Sequence, residues 1–347
     1  MSRSRIVLLG CLFWFSSQLL YGQANNKVDV LSKDQLEFLE QLTIAVLEES
    51  SIHPGQFISE VFGANNSGGL LIRPGGRNAY PSFWIRDYAM ALETDLVSLE
   101  AQKHMLLLTA KSQANQSWIT TGGSMVPVGS IADHIRIDDG LPIYFPGTYS
   151  YADQGTERWG SLPPYGDQFM FVHMAHYYSK SKGEIGILSE EINGMKLIDR
   201  LTLAFHVPPS VLDNHLVYAS DRFRGVDFGF RDAIELTGEL LYPSLLKFRS
   251  AMQLSELFEL LDRPEQSEKY KEIAITIKKN IPSVFKDESG FLKASTILSA
   301  QPDVWGTSLA IYLGVLEGED LSSASKVLSN AYKKGTISYR GNVRHVP

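Results

Sequence analysis

Between Thr237 and Ile281 two stretches of helical periodicity are separated only by Asp262-Arg263-Pro264. So short a link leaves two helices little choice but to lie side by side and antiparallel, with the proline near the first turn of the second, where a missing N–H costs nothing. The layout recurs. Trp305 to Leu316 and Leu321 to Lys334 flank Glu317-Gly318-Glu319, and Asp167 to Ser179 is followed by a partner from Ile185 to about Phe205. Asp87 to about Ala114 reads as two helices or one bent one. Asp34 to Glu49 sets Leu36, Leu39, Leu42, Ile44, Val46 and Leu47 on one broad face that suits covering a surface, behind a cap at Ser32 or Asp34. Strand patterns are few: Met125 to Val128, Ile131 to Ile137 and Leu292 to Thr296.

Long aromatic, Gly/Pro-rich loops over 63–84, 118–165 and 207–230 separate these pairs, and loops of that length rarely persist without a function. Tetratricopeptide-type repeats would need short connectors and a period of about 34 residues, and neither is present. The expected fold is therefore all-α: a toroid of helical hairpins whose long loops gather at one end over a central cavity.

The N-terminus has the form of an export signal. Two positive charges lie within Ser2–Arg5, an apolar run follows over Ile6–Leu20, and small residues for cleavage stand near Gly22 and Gln23. This predicts a signal peptide over 1–23, a single domain over 24–347 and an exported, periplasmic or secreted product. Leu8-Leu9-Gly10-Cys11 offers a lipoprotein box as the alternative. Cys11 is the only cysteine, so a product cut beyond it has no disulfide and no cysteine nucleophile. No later apolar run approaches a membrane span. A net charge of -7 with no basic stripe argues against a nucleic-acid partner and leaves an uncharged or polyhydroxylated ligand.

Candidate chemistry collects where loops open into helices. Asp227, Arg231, Asp232 and Glu235 crowd into a few residues around Phe228 and Phe230, apolar neighbours of the kind that raise a carboxyl pKa toward general-acid duty. Three further junctions place an acid at an expected helix cap: Trp84-Ile85-Arg86-Asp87, Gly166-Asp167-Gln168 and Asp303-Val304-Trp305. Each is equally explained as an ordinary N-cap. Their company points elsewhere, because carboxylates and amides bond sugar hydroxyls while indole rings stack on sugar C–H faces.

Phe83-Trp84-Ile85-Arg86-Asp87, Gly166-Asp167-Gln168 and the Gly225-Val226-Asp227-Phe228 loop with Arg231 resemble the six-hairpin (α/α)6-barrel glycosidases, including the trehalase, processing α-glucosidase and glucoamylase-like enzymes. Val226 departs from a Gly-Trp-Asp-Phe pattern. The resemblance covers roughly 83–341 and implies hydrolysis of a glycosidic bond with inversion, by an acid and a base about 6.5–9.5 Å apart. It implies Asp227 as the acid, with Asp232 second, and Arg86 and Asp87 holding the reacting sugar. Asp167, Gln168, Arg231 and Asp303 would add contacts, and Trp84, Trp305 and Trp159 are stacking candidates, Trp159 equally explained by loop packing. The implied base lies in a last helical pair, whereas about nine helices are recognisable before Pro347. The expectation is a fragment whose toroid continues.

No cofactor is implied. The eight histidines lack zinc spacing, and His173 and His176 on one helix face fit core packing. Gly-x-Ser-x-Gly and phosphate-loop patterns are absent. Asn65 and Asn115 head short glycosylation-type triplets. Alternatives to the hydrolase are a catalytically silent glycan-binding toroid, a polysaccharide lyase with His134 or Tyr144 as base, and a helical scaffold for protein partners.

Overall fold

A computed structural model describes residues 31–60, 62–74, 80–221 and 234–347, which fall into two units divided between Ala45 and Val46. In the first unit the helix α1 (Lys33–Ser50) begins with a reciprocal cap. The Ser32 hydroxyl accepts from Gln35 N at 3.2 Å and Gln35 Oε1 accepts from Ser32 N at 2.8 Å, which selects Ser32 over Asp34.

The second unit is built on eight further helices: α2 (Ile85–Ala91), α3 (Leu99–Lys111), α4 (Tyr165–His176), α5 (Leu197–Phe205), α6 (Leu241–Leu260), α7 (Pro264–Phe285), α8 (Val304–Tyr312) and α9 (Gly318–Lys333). They form two layers. Helix α4 packs on α2 and α6, and α6 on α8, so α2, α4, α6 and α8 stand in a row. Behind them α3 and α5 pack on α4, α7 on α6 and α9 on α8. Burial follows the layers. Every residue of α4 except His176 is buried, as expected of a helix covered on all sides, whereas α7 and α9 bury one stripe each.

Contacts that advance together show that the front row is parallel. Arg86 near the start of α2 faces Asp167 near the start of α4, and Glu93, just past the end of α2, faces His173 further along α4. Ser250 Oγ of α6 donates to Phe169 O, Gln253 pairs with His173 and Glu256 with His176. A Cβ on Gly306 at the start of α8 would stand 2.5 Å from Leu241 Cδ2 at the start of α6, so only glycine allows that approach. Helix α7 behind α6 runs the other way. Ser255 Oγ of α6 meets Ser267 Oγ of α7 at 2.9 Å across the Asp262-Arg263 link, with Pro264 opening α7 in its first turn as expected.

Two expectations fail locally. The stretch from Ile185 to Phe205 is not one helix: a 3-10 turn (Ile185–Ser189) and a two-residue hairpin precede α5. Asn193 and Gly194 hold positive φ of 50° and 78°, the Asn-Gly hairpin geometry that overrides helical periodicity. Leu292 to Thr296 forms only isolated bridges, to Lys286, Leu240 and Pro302. By contrast Ile131 to Ile137 does carry a strand. The three-stranded sheet β1 (Ser82–Trp84), β2 (His134–Arg136) and β3 (Pro142–Ile143) pairs Trp84 with His134 and so ties the start of α2 to the long loop. Asn65 is buried, its amide donating to Ile52 O and Gly69 O, which gives it a structural part rather than a place as a glycan acceptor.

Lys247 of α6 is a buried cation between the layers. Its ammonium donates to Ser210 Oγ at 2.6 Å and lies 5.5 Å from the Phe205 ring, and burial lowers its pKa from 10.5 to about 8. Between those values the unfolded chain binds more protons than the folded one, so stability rises with pH through that window and a penalty remains at neutral pH. Lys247→Met is expected to stabilise the protein at pH 7 by about 2 kcal/mol, after allowance for the lost hydrogen bond, and to lose most of that gain near pH 10. Thermal unfolding at the two pH values checks this, and an equal gain at both would refute it.

Candidate active site

The front-row helices start at one end of their layer, and the residues singled out from sequence cluster at those starts. Helix α2 begins at Ile85 and α4 at Tyr165, so Asp87 and Asp167 sit in first turns rather than at caps as expected. Asp167 is fully buried, its Oδ1 accepting from Arg86 Nη1 at 3.5 Å. Asp87 is half-buried.

The sheet supplies what the sequence did not single out. Asp133, directly before β2, is fully buried with Oδ1 3.7 Å from Arg86 Nη1, so one guanidinium faces two carboxyls from different elements. Its other oxygen meets His134 Nδ1 at 2.6 Å, while His134 Nε2 meets Thr148 O at 3.0 Å. Burial alone would push the Asp133 carboxyl up, but the His134 hydrogen bond and the charges of His134 and Arg86 outweigh it and hold the carboxyl below its usual range. Both His134 ring nitrogens are thus engaged, one by a carboxylate and one by a backbone carbonyl. Gln168 holds this arrangement in place. Its Oε1 accepts from Ile131 N at 2.9 Å and its Nε2 donates to Ile131 O and Pro164 O, clamping the segment before Asp133 to the start of α4.

Aromatic rings cover the charged group. Trp84 stacks on His134 with centroids 4.4 Å apart and a 21° interplanar angle. Tyr80 and Tyr149 stand edge-on to Trp84, and Phe62 edge-on to Tyr149. Trp84 is half-buried and Tyr80 is 40% exposed, so the wall is partly open to solvent. An aromatic surface over fixed charges suits a ligand with apolar faces and polar edges.

Other candidates lie apart from this group. Asp303 is the N-cap of α8, Oδ1 accepting from Gly306 N at 2.9 Å, and Trp305 meets the His345 ring at 3.5 Å in a small cluster with Phe291, Val304 and Ile337. Trp159 packs with Val126, Tyr144 and Phe145, under the Arg158 guanidinium. Of the two bases suggested for a lyase, the Tyr144 hydroxyl donates to Ser112 O at 2.7 Å and His134 has both ring nitrogens engaged. Asp227, Arg231 and Asp232 lie outside the described residues, in the segment that leads to α6. Among the described residues no three His, Asp or Glu side chains stand together in a way that would hold a metal ion, and no helix is long and apolar enough to cross a membrane.

No family model and no curated protein matches the chain. Solved structures do. An α-L-rhamnosidase from Aspergillus terreus aligns with a TM-score of 0.56 and 13% identity over 90% of this chain and 30% of its own. A GH78 rhamnosidase from Bacillus sp. GL1 aligns with a TM-score of 0.53 and 12% identity over 88% of this chain and 27% of its own. A sugar epimerase from a ruminal bacterium gives 0.50 and 12%, over 91% of this chain and 76% of its own. The chain thus spans less than a third of either rhamnosidase. These neighbours are of the (α/α)6-barrel type, and at such identities the likeness is one of fold.

Arg86 Nη1 faces both the Asp133 and the Asp167 carboxyl. Arg86→Met, which leaves them facing each other in the interior, is expected to destabilise by about 3–5 kcal/mol, and adding Asp133→Asn should restore part of the loss. Urea unfolding of the single and double variants measures both effects. A single-variant loss below about 1 kcal/mol would contradict the assignment.

Proposed function

We propose that this chain is a carbohydrate-active enzyme of the (α/α)6 type, a toroid that cleaves a glycosidic bond by an inverting mechanism. The observation that carries this reading is the Arg86–Asp133–Asp167 group beneath the Trp84–His134 stack, set at the common starting end of parallel helices. Trp84 would present a face to the sugar ring, and Arg86 with Asp87 would fix its hydroxyls. Asp227, in the segment leading to α6, is the proposed general acid and Asp232 the alternative, with Arg231 beside them. Asp303 and Trp305, at the start of α8, are assigned to more distant sugar contacts. A base on the opposite face would activate water. Export through the 1–23 signal is part of the same proposal.

Epimerisation of a sugar is the second reading. It is favoured by one observation: the chain matches most of the length of the epimerase but only a minor part of each rhamnosidase.

Incubation with α-linked oligosaccharides and product analysis by NMR separates the two, since hydrolysis releases a new reducing end and epimerisation inverts a ring carbon without chain cleavage. Asp227→Asn is expected to lower hydrolytic turnover by roughly 10²–10⁴-fold while ligand binding persists. Unchanged turnover would remove Asp227 from the role, and binding without turnover in the unmodified protein would favour a silent glycan-binding toroid.

A further inference from the structure

A second concavity lies beyond the C-terminal end of α3, shares no lining residue with the Arg86 group, and encloses about 570 Å³, within the range of ligand-holding pockets. Its floor is rigid. Gln113 donates to Gly129 O and Arg200 O, both at 2.9 Å, and accepts from Arg200 Nη1 at 3.1 Å, while the rest of the Arg200 guanidinium is spent on Ile192 O and Ala110 O. One wall is aromatic. Trp118 stacks on Tyr151 with centroids 5.3 Å apart at 20°, and Tyr144 meets Trp118 edge-on at 5.9 Å. Tyr151 remains 42% exposed. The rim carries Asn115, Gln116 and Asn193, all exposed, the last held out by the tight hairpin turn.

The lining excludes several ligand classes. Among the described residues it contains no Asp or Glu to hold a cation. Its guanidinium is engaged internally, and Lys111 is the other described basic side chain of the lining, too little charge for a nucleotide. An open mouth rimmed by amides does not suit a lipid. Exposed amides that donate and accept beside an aromatic wall match vicinal hydroxyls and the C–H face of a sugar ring.

The concavity is also joined to the first site. Tyr149 packs on Trp84 and His134 with centroids 5.9 and 5.5 Å away, and Tyr151, two residues on, stacks on Trp118. One short loop therefore lines both places.

We propose that this concavity is a distal saccharide-binding subsite, which holds sugar units of an oligo- or polysaccharide away from the reacting bond through Tyr151, Asn115 and Asn193. The proposal rests on the carbohydrate-active reading and narrows its substrate to chains of several units. Remote binding energy of this kind lowers KM for long substrates and leaves short ones unaffected.

The test uses the full chain and affinity electrophoresis in gels containing rhamnogalacturonan I, polygalacturonate, xylan or glucomannan, with Tyr151→Ala and the Asn115→Ala/Asn193→Ala double variant beside the unmodified protein. Melting temperatures identify any variant that fails to fold, and because the asparagines are exposed the double variant keeps the test valid if Tyr151→Ala does fail. Retardation by at least one polymer, weakened about tenfold or more in these variants, is the expected result. Retardation that these variants keep but Trp84→Ala abolishes would overturn the distal subsite and leave the proposed function standing. No retardation by any polymer, together with turnover of short glycosides, would likewise overturn the subsite alone. Neither retardation nor turnover would remove both.

Discussion

Arg86 is the hinge of the structure because it lies between carboxyls delivered by two different elements. Asp167 comes from the first turn of α4 and Asp133 from the entry to β2, and neither is exposed to water. A buried carboxylate is costly unless charge and hydrogen bonds surround it, and a buried guanidinium has the same requirement. The three groups are therefore tolerable only together. Their mutual need fixes the start of α2 against the start of α4 and draws the long loop over both. Gln168 and the Trp84–His134 stack then complete the geometry, one from below through backbone bonds and the other from above through ring contact.

The parallel front row gives this end of the layer its electrostatic character. Four helix starts together concentrate partial positive charge where the first-turn acids Asp87 and Asp167 and the cap acid Asp303 are found. Parallel dipoles oppose one another, and the antiparallel partner α7 behind α6 offsets part of that cost. Fold and candidate site thus follow from one pattern of long and short links.

Much of this was legible in the sequence, for identifiable reasons. The α6–α7 hairpin follows from periodicity and Pro264, because both signals are local. The Asn193-Gly194 turn was passed over because its flanks are apolar enough to sustain a helical pattern. At the site, Trp84, Arg86, Asp167 and Gln168 were found by their company, yet Asp133 was not: it stands just before a short strand among apolar neighbours, and its partner is remote in the chain. Gln168 drew attention as a contact for sugar hydroxyls, while its amide is engaged with Ile131 and Pro164. Residue type alone does not say whether an amide faces a ligand or a backbone.

The protonation pattern narrows what the described groups contribute to chemistry. The Asp133 carboxyl is held below its usual range, and both His134 ring nitrogens are engaged, by Asp133 and by Thr148 O, so these groups are committed to one another. Their value is rigidity: Asp133 and His134 lock the ring beneath Trp84 and hold Arg86 in one orientation, which preorganises a binding surface. A proton donor for glycosidic cleavage needs the opposite surroundings, an apolar neighbourhood that keeps a carboxyl neutral. Within the sequence that combination is richest at Asp227-Phe228-Gly229-Phe230, in the segment leading into α6. On the proposed function, binding and proton transfer would then be divided, the charges fixed on α2, α4 and the entry to β2 and the acid supplied from the stretch that precedes α6 in the sequence.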